Sequence, residues 1–452
     1  MSPSSHPPSS SPSSAASAGS SADPLVNSSS APTPDWFDQG YPHIWGPYAQ
    51  MKTATPPLAV VATSGSRLTL ADGRTLIDGV AAWWTACHGY NHPHIAAAVR
   101  AQLETMPHIM FGGMVHAPAL NLARRLTALL GPGLDKVFYT ESGSVAVEVA
   151  IKMAVQYWLN RGERGRTRML AFKGGYHGDT FGTMAVCDPD DGMHTVFAGL
   201  LQQHDIVALP VDTESFDALD AYLAEHASHL AGILVEPLIQ GAGGMVMHDP
   251  AVLRRLRTLA DRYQLLLIFD EIFTGFGRTG TMFAFEQAGI RPDIITLSKA
   301  LTGGTLPLAA TVASQAVFDA FWSDDPSQAL MHGPTFMGNA LACAAANASL
   351  DLFESEPRLA QVAEIALALQ KGLEPCRTLP WVVDVRVMGA IGVVQLTSIR
   401  DRDALRRRFV EAGVWVRPFG NVVYLTPAMT IDAKDLAFLM RAIHTVLQQE
   451  HP

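Results

Sequence analysis

Leu265-Leu266-Leu267-Ile268-Phe269-Asp270 and Ile294-Ile295-Thr296-Leu297-Ser298-Lys299 are the two stretches on which the reading of this chain turns. Each begins as an apolar run short enough to be a buried strand. Each ends on a charge. In open α/β sheets, ligands bind outside the carboxyl ends of the strands, which is where an acid and a lysine so placed would lie. Asp270 is followed by a second acid, Glu271, and Lys299 runs into Ala300-Leu301-Thr302-Gly303-Gly304, where the backbone can turn sharply.

Working outward, the same pattern recurs. Lys136 to Thr140, Arg168 to Phe172 and Gly232 to Val235 are further strand candidates, and helical periodicity marks Pro93 to Met106, Ala117 to Leu130, Val145 to Leu159 and Pro250 to Tyr263. Alternation of this kind predicts a mostly parallel sheet with helices on both faces, an α/β fold. Leu58 to Asp78 reads as short strands around an Asp72-Gly73 turn. Beyond about Asn339 the pattern shifts to long helices with strands at Val382 to Val387, Gly392 to Leu396 and Val422 to Leu425. We therefore divide the chain into a Ser/Pro/Ala-rich tail (1–34), an N-terminal segment of a small α+β domain (35–78), a large domain (79–338) and the C-terminal part of the small domain (339–452).

Composition narrows the function. The 452 residues carry 32 basic and 42 acidic side chains, a net charge of −10, which argues against a nucleic-acid partner. Four scattered cysteines form no C-x-x-C pair, as in a reduced cytosolic protein, and no metal site is expected. No apolar run approaches the length of a membrane helix. The tail lacks both the basic, apolar character of a secretory signal and the arginines of a transit peptide, since the first Lys or Arg is Lys52. It reads as a segment too polar to order itself, and the chain as a cytoplasmic protein.

The charged strand ends carry the chemistry. Asp270-Glu271 could end a Walker-B-like strand, hold a metal, or pair with a pyridinium nitrogen. The chain has no G-x-x-x-x-G-K-[ST], and no His or carboxylate ligands are spaced nearby, so the pyridinium partner survives. A lysine in a closed site is unfavourable as a cation, and a Schiff base gives its amine a use there. An acid and a lysine so placed suit pyridoxal phosphate. Gly275-Phe276-Gly277-Arg278-Thr279-Gly280 matches G-x-G-x-x-G literally. It neither follows its strand directly nor opens a clean helix, so a dinucleotide site is not expected. Ser142-Gly143-Ser144, between a strand and a helix, could receive a phosphate on its N–H groups, or Ser144 could simply cap the helix. A second polar turn is His332-Gly333-Pro334-Thr335. Tyr176, in Gly174-Gly175-Tyr176-His177-Gly178-Asp179, could stack on a ring. Arg417, in Val414-Trp415-Val416-Arg417-Pro418-Phe419, is a cation that needs an anion. Trp83-Trp84 are adjacent and are not both expected in a core.

Together these pieces resemble the class III (subgroup II) aminotransferases, of the fold type I architecture that binds pyridoxal 5'-phosphate. "SGSVAVEVAIKMA", "GGYHGDT", "VEPLIQGAGGM", "LLIFDEIFTGFGRTG", "DIITLSKALTGG" and "HGPTFMGNALA" carry the resemblance, from about Trp36 to the C-terminus. "HIWGPYAQM", Trp83-Trp84, "HIMFGGMVHAPA" and "VWVRPFGNVVYLTP" point to the branch of biotin synthesis that transfers an amino group from S-adenosylmethionine to 8-amino-7-oxononanoate. The alternative is another member, such as an ω-amino acid:pyruvate transaminase. The resemblance implies that Lys299 binds the cofactor covalently, that Asp270 pairs with its ring nitrogen and that Tyr176 stacks on it. It places Gly143 and Ser144 at the phosphate, with Pro334 and Thr335 reaching it from the other subunit of a homodimer. Tyr48, Trp83, Trp84, Tyr176, Gly333 and Arg417 would line the substrate pocket, Arg417 holding a carboxylate, with Asp179 and Arg278 near the substrate end. It further implies ping-pong transamination. Phe273 stands where many relatives have Gln, and Asn339-Ala340 where Asn-Pro is common.

Overall fold

The computed structural model describes residues 33–190 and 195–449. The expected tail, 1–34, therefore lies almost wholly outside the described residues, which open with a helix, Asp35–Gly40.

In chain order the strands are β1 (Val60–Ser64), β2 (Arg67–Leu70), β3 (Thr75–Asp78), β4 (Lys136–Thr140), β5 (Arg168–Phe172), β6 (Asp205–Val207), β7 (Leu230–Val235), β8 (Ile239–Gln240), β9 (Val246–Met247), β10 (Leu266–Asp270), β11 (Ile294–Leu297) and β12 (Ala309–Ala313). The C-terminal part adds β13 (Val382–Met388), β14 (Ile391–Leu396), β15 (Val414–Trp415) and β16 (Val422–Leu425). Seven of them form the central sheet in the order β4-β12-β11-β10-β7-β5-β6, with β12 antiparallel to both neighbours and the other pairs parallel.

Both faces of this sheet are covered, and the pleat shows why its strands are apolar throughout. Leu266 and Ile268 pack with Met169, Ala171 and the helix Gly143–Asn160 on one face. Leu267 and Phe269 pack on the other, with Leu170, Phe172 and the helices Ala117–Leu130 and Pro250–Arg262. Alternate residues of one strand thus feed two cores.

Besides the two-stranded β8-β9 ribbon, two smaller sheets accompany it. β13-β14-β16 is antiparallel and backs onto the helices Arg358–Leu373 and Ala433–Gln448. The other, β1-β2-β3-β15, joins the ends of the chain: β15 runs parallel to β3, with Val414 opposite Ile77 and Trp415 opposite Asp78. That single pairing brings the segment after Asp78 beside the segment after Trp415, and both lead into the site. Among the described residues no helix is long and apolar enough to cross a membrane.

Candidate active site

The parallel order places the ends of β7, β10 and β11 side by side, and each has an ionisable residue at its end or within two residues of it. β10 ends at Asp270, Glu236 follows β7, and Ser298 links β11 to Lys299. The neighbouring acids Asp270 and Glu271 point to different fates, as the strand period requires. Glu271 is wholly buried and accepts the N–H groups of Ala284 (2.8 Å) and Phe285 (2.9 Å). It fastens a core loop, and burial pushes its carboxyl up to about 7.

Asp270 faces the cleft edge. Its Oδ1 accepts from Ile272 N–H at 3.1 Å and lies 3.3 Å from the Thr296 hydroxyl. Its Oδ2 lies 2.8 Å from Nδ1 of buried His177. A carboxylate only accepts, so Nδ1 carries the hydrogen. His177, from the same loop as Tyr176, stands behind Asp270. Glu236 was missed, though the rule that found Asp270 applies equally to the end of β7. Its two oxygens accept from Tyr176 N–H (3.1 Å) and Gly241 N–H (3.0 Å), and burial raises its carboxyl to about 7.

Lys299 sits in the left-handed region, at φ 46°. Its Nζ lies 4.2 Å from the Trp84 ring centroid and 5.9 Å from that of Phe273. Protein atoms surround the amine, and this loss of solvent lowers its pKa to about 8, against the opposing pull of Asp270 and Glu236. At pH 7 about a tenth of such an amine is neutral, against less than about one part in a thousand at the ordinary lysine value. Lys299 retains some exposure, as a residue opening on a pocket must.

The helix start after β4 is closely packed. The helix Gly143–Asn160 is capped by Ser142, whose Oγ accepts Val145 N–H at 3.4 Å, so its first N–H groups and its dipole face outward. The capping side chain is thus Ser142 rather than Ser144. Ser144 Oγ instead accepts Asp179 N–H at 3.2 Å. The loop bearing Tyr176 lies so close that a Cβ on Gly178 (φ 132°) would sit 2.1 Å from Ser144 Oγ, and one on Gly143 would meet Ile272 at 2.9 Å. Only glycines let these strands of backbone approach. A carboxylate, a lysine amine and an anion-binding helix start, set around one opening, are the donor set that pyridoxal phosphate requires.

The outer wall is built differently. Tyr48 is about half exposed; its hydroxyl donates to the Asp179 carboxylate and lies 3.2 Å from the Tyr176 hydroxyl. Burial, and then Asp179, push the Tyr48 phenol up to about 12. Ala81, Ala82, Trp83 and Trp84 all have positive φ (46°, 50°, 57° and 76°), closed by Trp84 N–H to Val80 C=O at 2.9 Å and Thr85 N–H to Ala81 C=O at 2.9 Å. The two tryptophans thus sit on a left-handed turn, neither strand nor simple loop, at about 1–2 kcal/mol per residue. Trp84 turns inward, against Phe273 (4.2 Å between centroids) and over Lys299; Trp83 faces Arg417, whose guanidinium lies 4.4 Å from its ring. Arg417 follows β15 and Trp83 follows β3, so the parallel pairing of these strands creates the contact. Phe273 is buried and forms part of this wall.

Arg278 is buried, donating to Ala390 C=O (3.1 Å) and Pro427 C=O (2.8 Å), and so ties the loop after β10 to the C-terminal part. Gly333 and Thr335 are exposed on a segment beside edge strand β4, where His332 packs on Phe138 and Phe336 on His108. Among the described contacts nothing joins them to Lys299, Asp270 or Ser144. The G-x-G-x-x-G stretch is a chain of turns, with Phe276 buried at φ 58°. Among the described residues no group of three His, Cys, Asp or Glu is placed to hold a metal.

Comparison with known proteins agrees with this geometry. Residues 48–447 match the family model described as aminotransferase class-III. The chain is 44% identical to adenosylmethionine-8-amino-7-oxononanoate aminotransferase of Mycobacterium leprae over 89% of its length and 94% of that protein's. It is 42% identical to the enzyme of that name from Buchnera aphidicola, over 90% of this chain and 97% of the relative. Among solved structures it resembles the Methanocaldococcus jannaschii enzyme of the same name (TM-score 0.85, 32% identity, 92% of this chain and 98% of the other). It also resembles an amine transaminase from an uncultivated Pseudomonas species in its PLP-bound form (TM-score 0.83, 31% identity, 90% and 98% covered).

Proposed function

Because the chain belongs to the class III aminotransferases and works with pyridoxal phosphate, we propose that it transfers an amino group from S-adenosylmethionine to 8-amino-7-oxononanoate, yielding the 7,8-diamine used in biotin synthesis. The observation that carries this reading is the wall of Tyr48, Trp83, Trp84 and Arg417 opposite Lys299, in a chain over 40% identical to relatives of that name. Broad aromatic faces suit both a long aliphatic acceptor and a sulfonium donor, and the cation of Arg417 suits the acceptor's carboxylate.

The bound cofactor supplies a carbonyl that captures amines and a ring that accepts electrons when a C–H bond breaks. The chain's residues would divide the remaining work. Asp270, oriented by His177, holds the proton of the ring nitrogen. Gly143 and Ser144 present N–H groups to the phosphate, and Tyr176 covers the ring. Lys299 would hold the cofactor and, as a free amine, would take a proton at Nζ from the substrate carbon. Its lowered pKa suits both tasks, because attack and proton removal alike need the free amine. Arg417 orients the acceptor by its carboxylate.

The Pro334-Thr335 turn, with Thr335 exposed, would complete the phosphate site of a neighbouring copy, so the working unit would be a homodimer. Phe336, about half exposed and next to this turn, supports an interface there. Complementation of a biotin auxotroph lacking this aminotransferase step tests the reaction. Growth without biotin is expected; no growth despite soluble, cofactor-loaded protein refutes it.

A further inference from the structure

The left-handed turn Ala81–Trp84 is the least favourable backbone in the site: four successive residues with positive φ, none of them glycine. Something must hold it, and the contacts show what does. Asp78, the last residue of β3, is almost fully buried. Its Oδ1 accepts Val80 N–H at 2.8 Å, and its Oδ2 accepts Ala82 N–H at 3.0 Å and the Tyr90 hydroxyl at 2.6 Å. One carboxylate therefore grips the turn at its entry and at its second residue, while Tyr90 steadies that carboxylate from behind. The turn is pinned again where the Thr426 hydroxyl lies 3.4 Å from Val80 C=O and Thr426 N–H donates to Gly79 C=O at 2.8 Å. Register does the rest: Asp78 faces Trp415 across the β3–β15 pair, so the clamp also sets how the turn meets the segment carrying Arg417.

We infer that Asp78 is a positioning residue for substrate: by binding the N–H groups of Val80 and Ala82 it imposes the left-handed turn that aims Trp84 at Lys299 and Trp83 at Arg417. It touches neither the reacting atoms nor the cofactor cradle. A relaxed turn would swing both indoles away while leaving Lys299, Asp270 and the start of the helix Gly143–Asn160 in place. The inference rests on the proposed role of these tryptophans in the substrate pocket, and its test also has a readout that needs no substrate.

The test uses the full-length, cofactor-loaded enzyme and whichever donor and acceptor the wild type turns over. Asp78→Asn should keep the visible absorbance of bound cofactor, raise KM for the amino acceptor by about tenfold or more, and change kcat by less than about threefold. Its near-ultraviolet circular dichroism should lose intensity in the tryptophan region. Tyr90→Phe, a milder change suited to the case where Asp78→Asn fails to fold, should move KM in the same direction by about two- to threefold. Ala82→Gly added to Asp78→Asn should recover most of the lost KM and of the tryptophan signal, because glycine adopts positive φ freely. An unchanged KM in soluble Asp78→Asn overturns the inference. So does a KM defect that Ala82→Gly leaves untouched, or a Tyr90→Phe variant that loses thermal stability with no change in KM. The circular dichroism decides the question even if the wild type proves to use another substrate pair: an unchanged tryptophan signal in Asp78→Asn overturns the inference.

Discussion

The carboxyl edge of the central sheet and the Trp83–Arg417 wall face the same opening but are built on opposite terms. Asp270 and Glu236 stand on or next to regular parallel strands, are buried, and have their oxygens hydrogen-bonded. Trp83 and Trp84 stand on a strained turn held by the Asp78 carboxylate and by Thr426, and Arg417 follows a strand of only two residues. The difference teaches a division of labour. Proton and cofactor chemistry needs groups fixed to a fraction of an ångström, and a buried sheet supplies that. Substrate choice needs large surfaces of unusual shape, and irregular backbone supplies those. Lys299 belongs to both regions: a sheet strand delivers it, yet its own φ is positive and Trp84 covers its amine.

If the division holds, damage to the sheet edge should abolish turnover with any substrate, whereas damage to the wall should change which substrate is used. Lys299→Ala should have the largest effect, a loss of about 10⁴-fold or more in kcat together with the absorbance of covalently held cofactor. Substantial residual turnover would remove Lys299 from the mechanism. Asp270→Asn should follow, with kcat down about 10²- to 10³-fold for every donor and acceptor alike; a defect confined to one substrate would break the comparison. Arg417→Ala should lower kcat/KM for the carboxylate-bearing acceptor by about 10- to 100-fold, mostly through KM, and spare the half-reaction with the donor. Equal losses in both half-reactions would place Arg417 outside substrate binding.

The shifted amine of Lys299 gives a test that depends on pH. Burial lowers this pKa from 10.5 to about 8. The rate at which cofactor-free protein takes up pyridoxal phosphate, read by absorbance, should rise with pH around a midpoint near 8. A midpoint near the ordinary lysine value would show that the amine is not enclosed. The unfolded chain binds more protons in the window between the two values, so this group's contribution to stability increases with pH across it. The smallest expected effect is that of Ser142→Ala. Losing the cap should cost about 1 kcal/mol of thermal stability and weaken affinity for pyridoxal phosphate only a few-fold.

The same division explains what the sequence disclosed. The strands bearing Asp270 and Lys299 were legible because burial on both faces leaves continuous apolar runs bounded by charge. β12 escaped because Ala309-Ala310-Thr311-Val312-Ala313 is too alanine-rich to read as a strand, although it is the antiparallel member beside β11. The left-handed turn was not legible at all: Ala81, Ala82, Trp83 and Trp84 give no local sign of positive φ, and the reason for it is the carboxylate of Asp78. The carbonyl partners of Arg278, on Ala390 and Pro427, are distant in sequence, and no local pattern announces them.

The claim that this wall selects one substrate pair is tested most directly by supplying the purified, cofactor-loaded enzyme with 8-amino-7-oxononanoate and either S-adenosylmethionine or alanine as donor, and quantifying the diamine by mass spectrometry. Diamine formation with S-adenosylmethionine, abolished in Lys299→Ala, is the expected result. Diamine formed with alanine and none with S-adenosylmethionine, or transamination of pyruvate with an ω-amino acid in place of either, would contradict it.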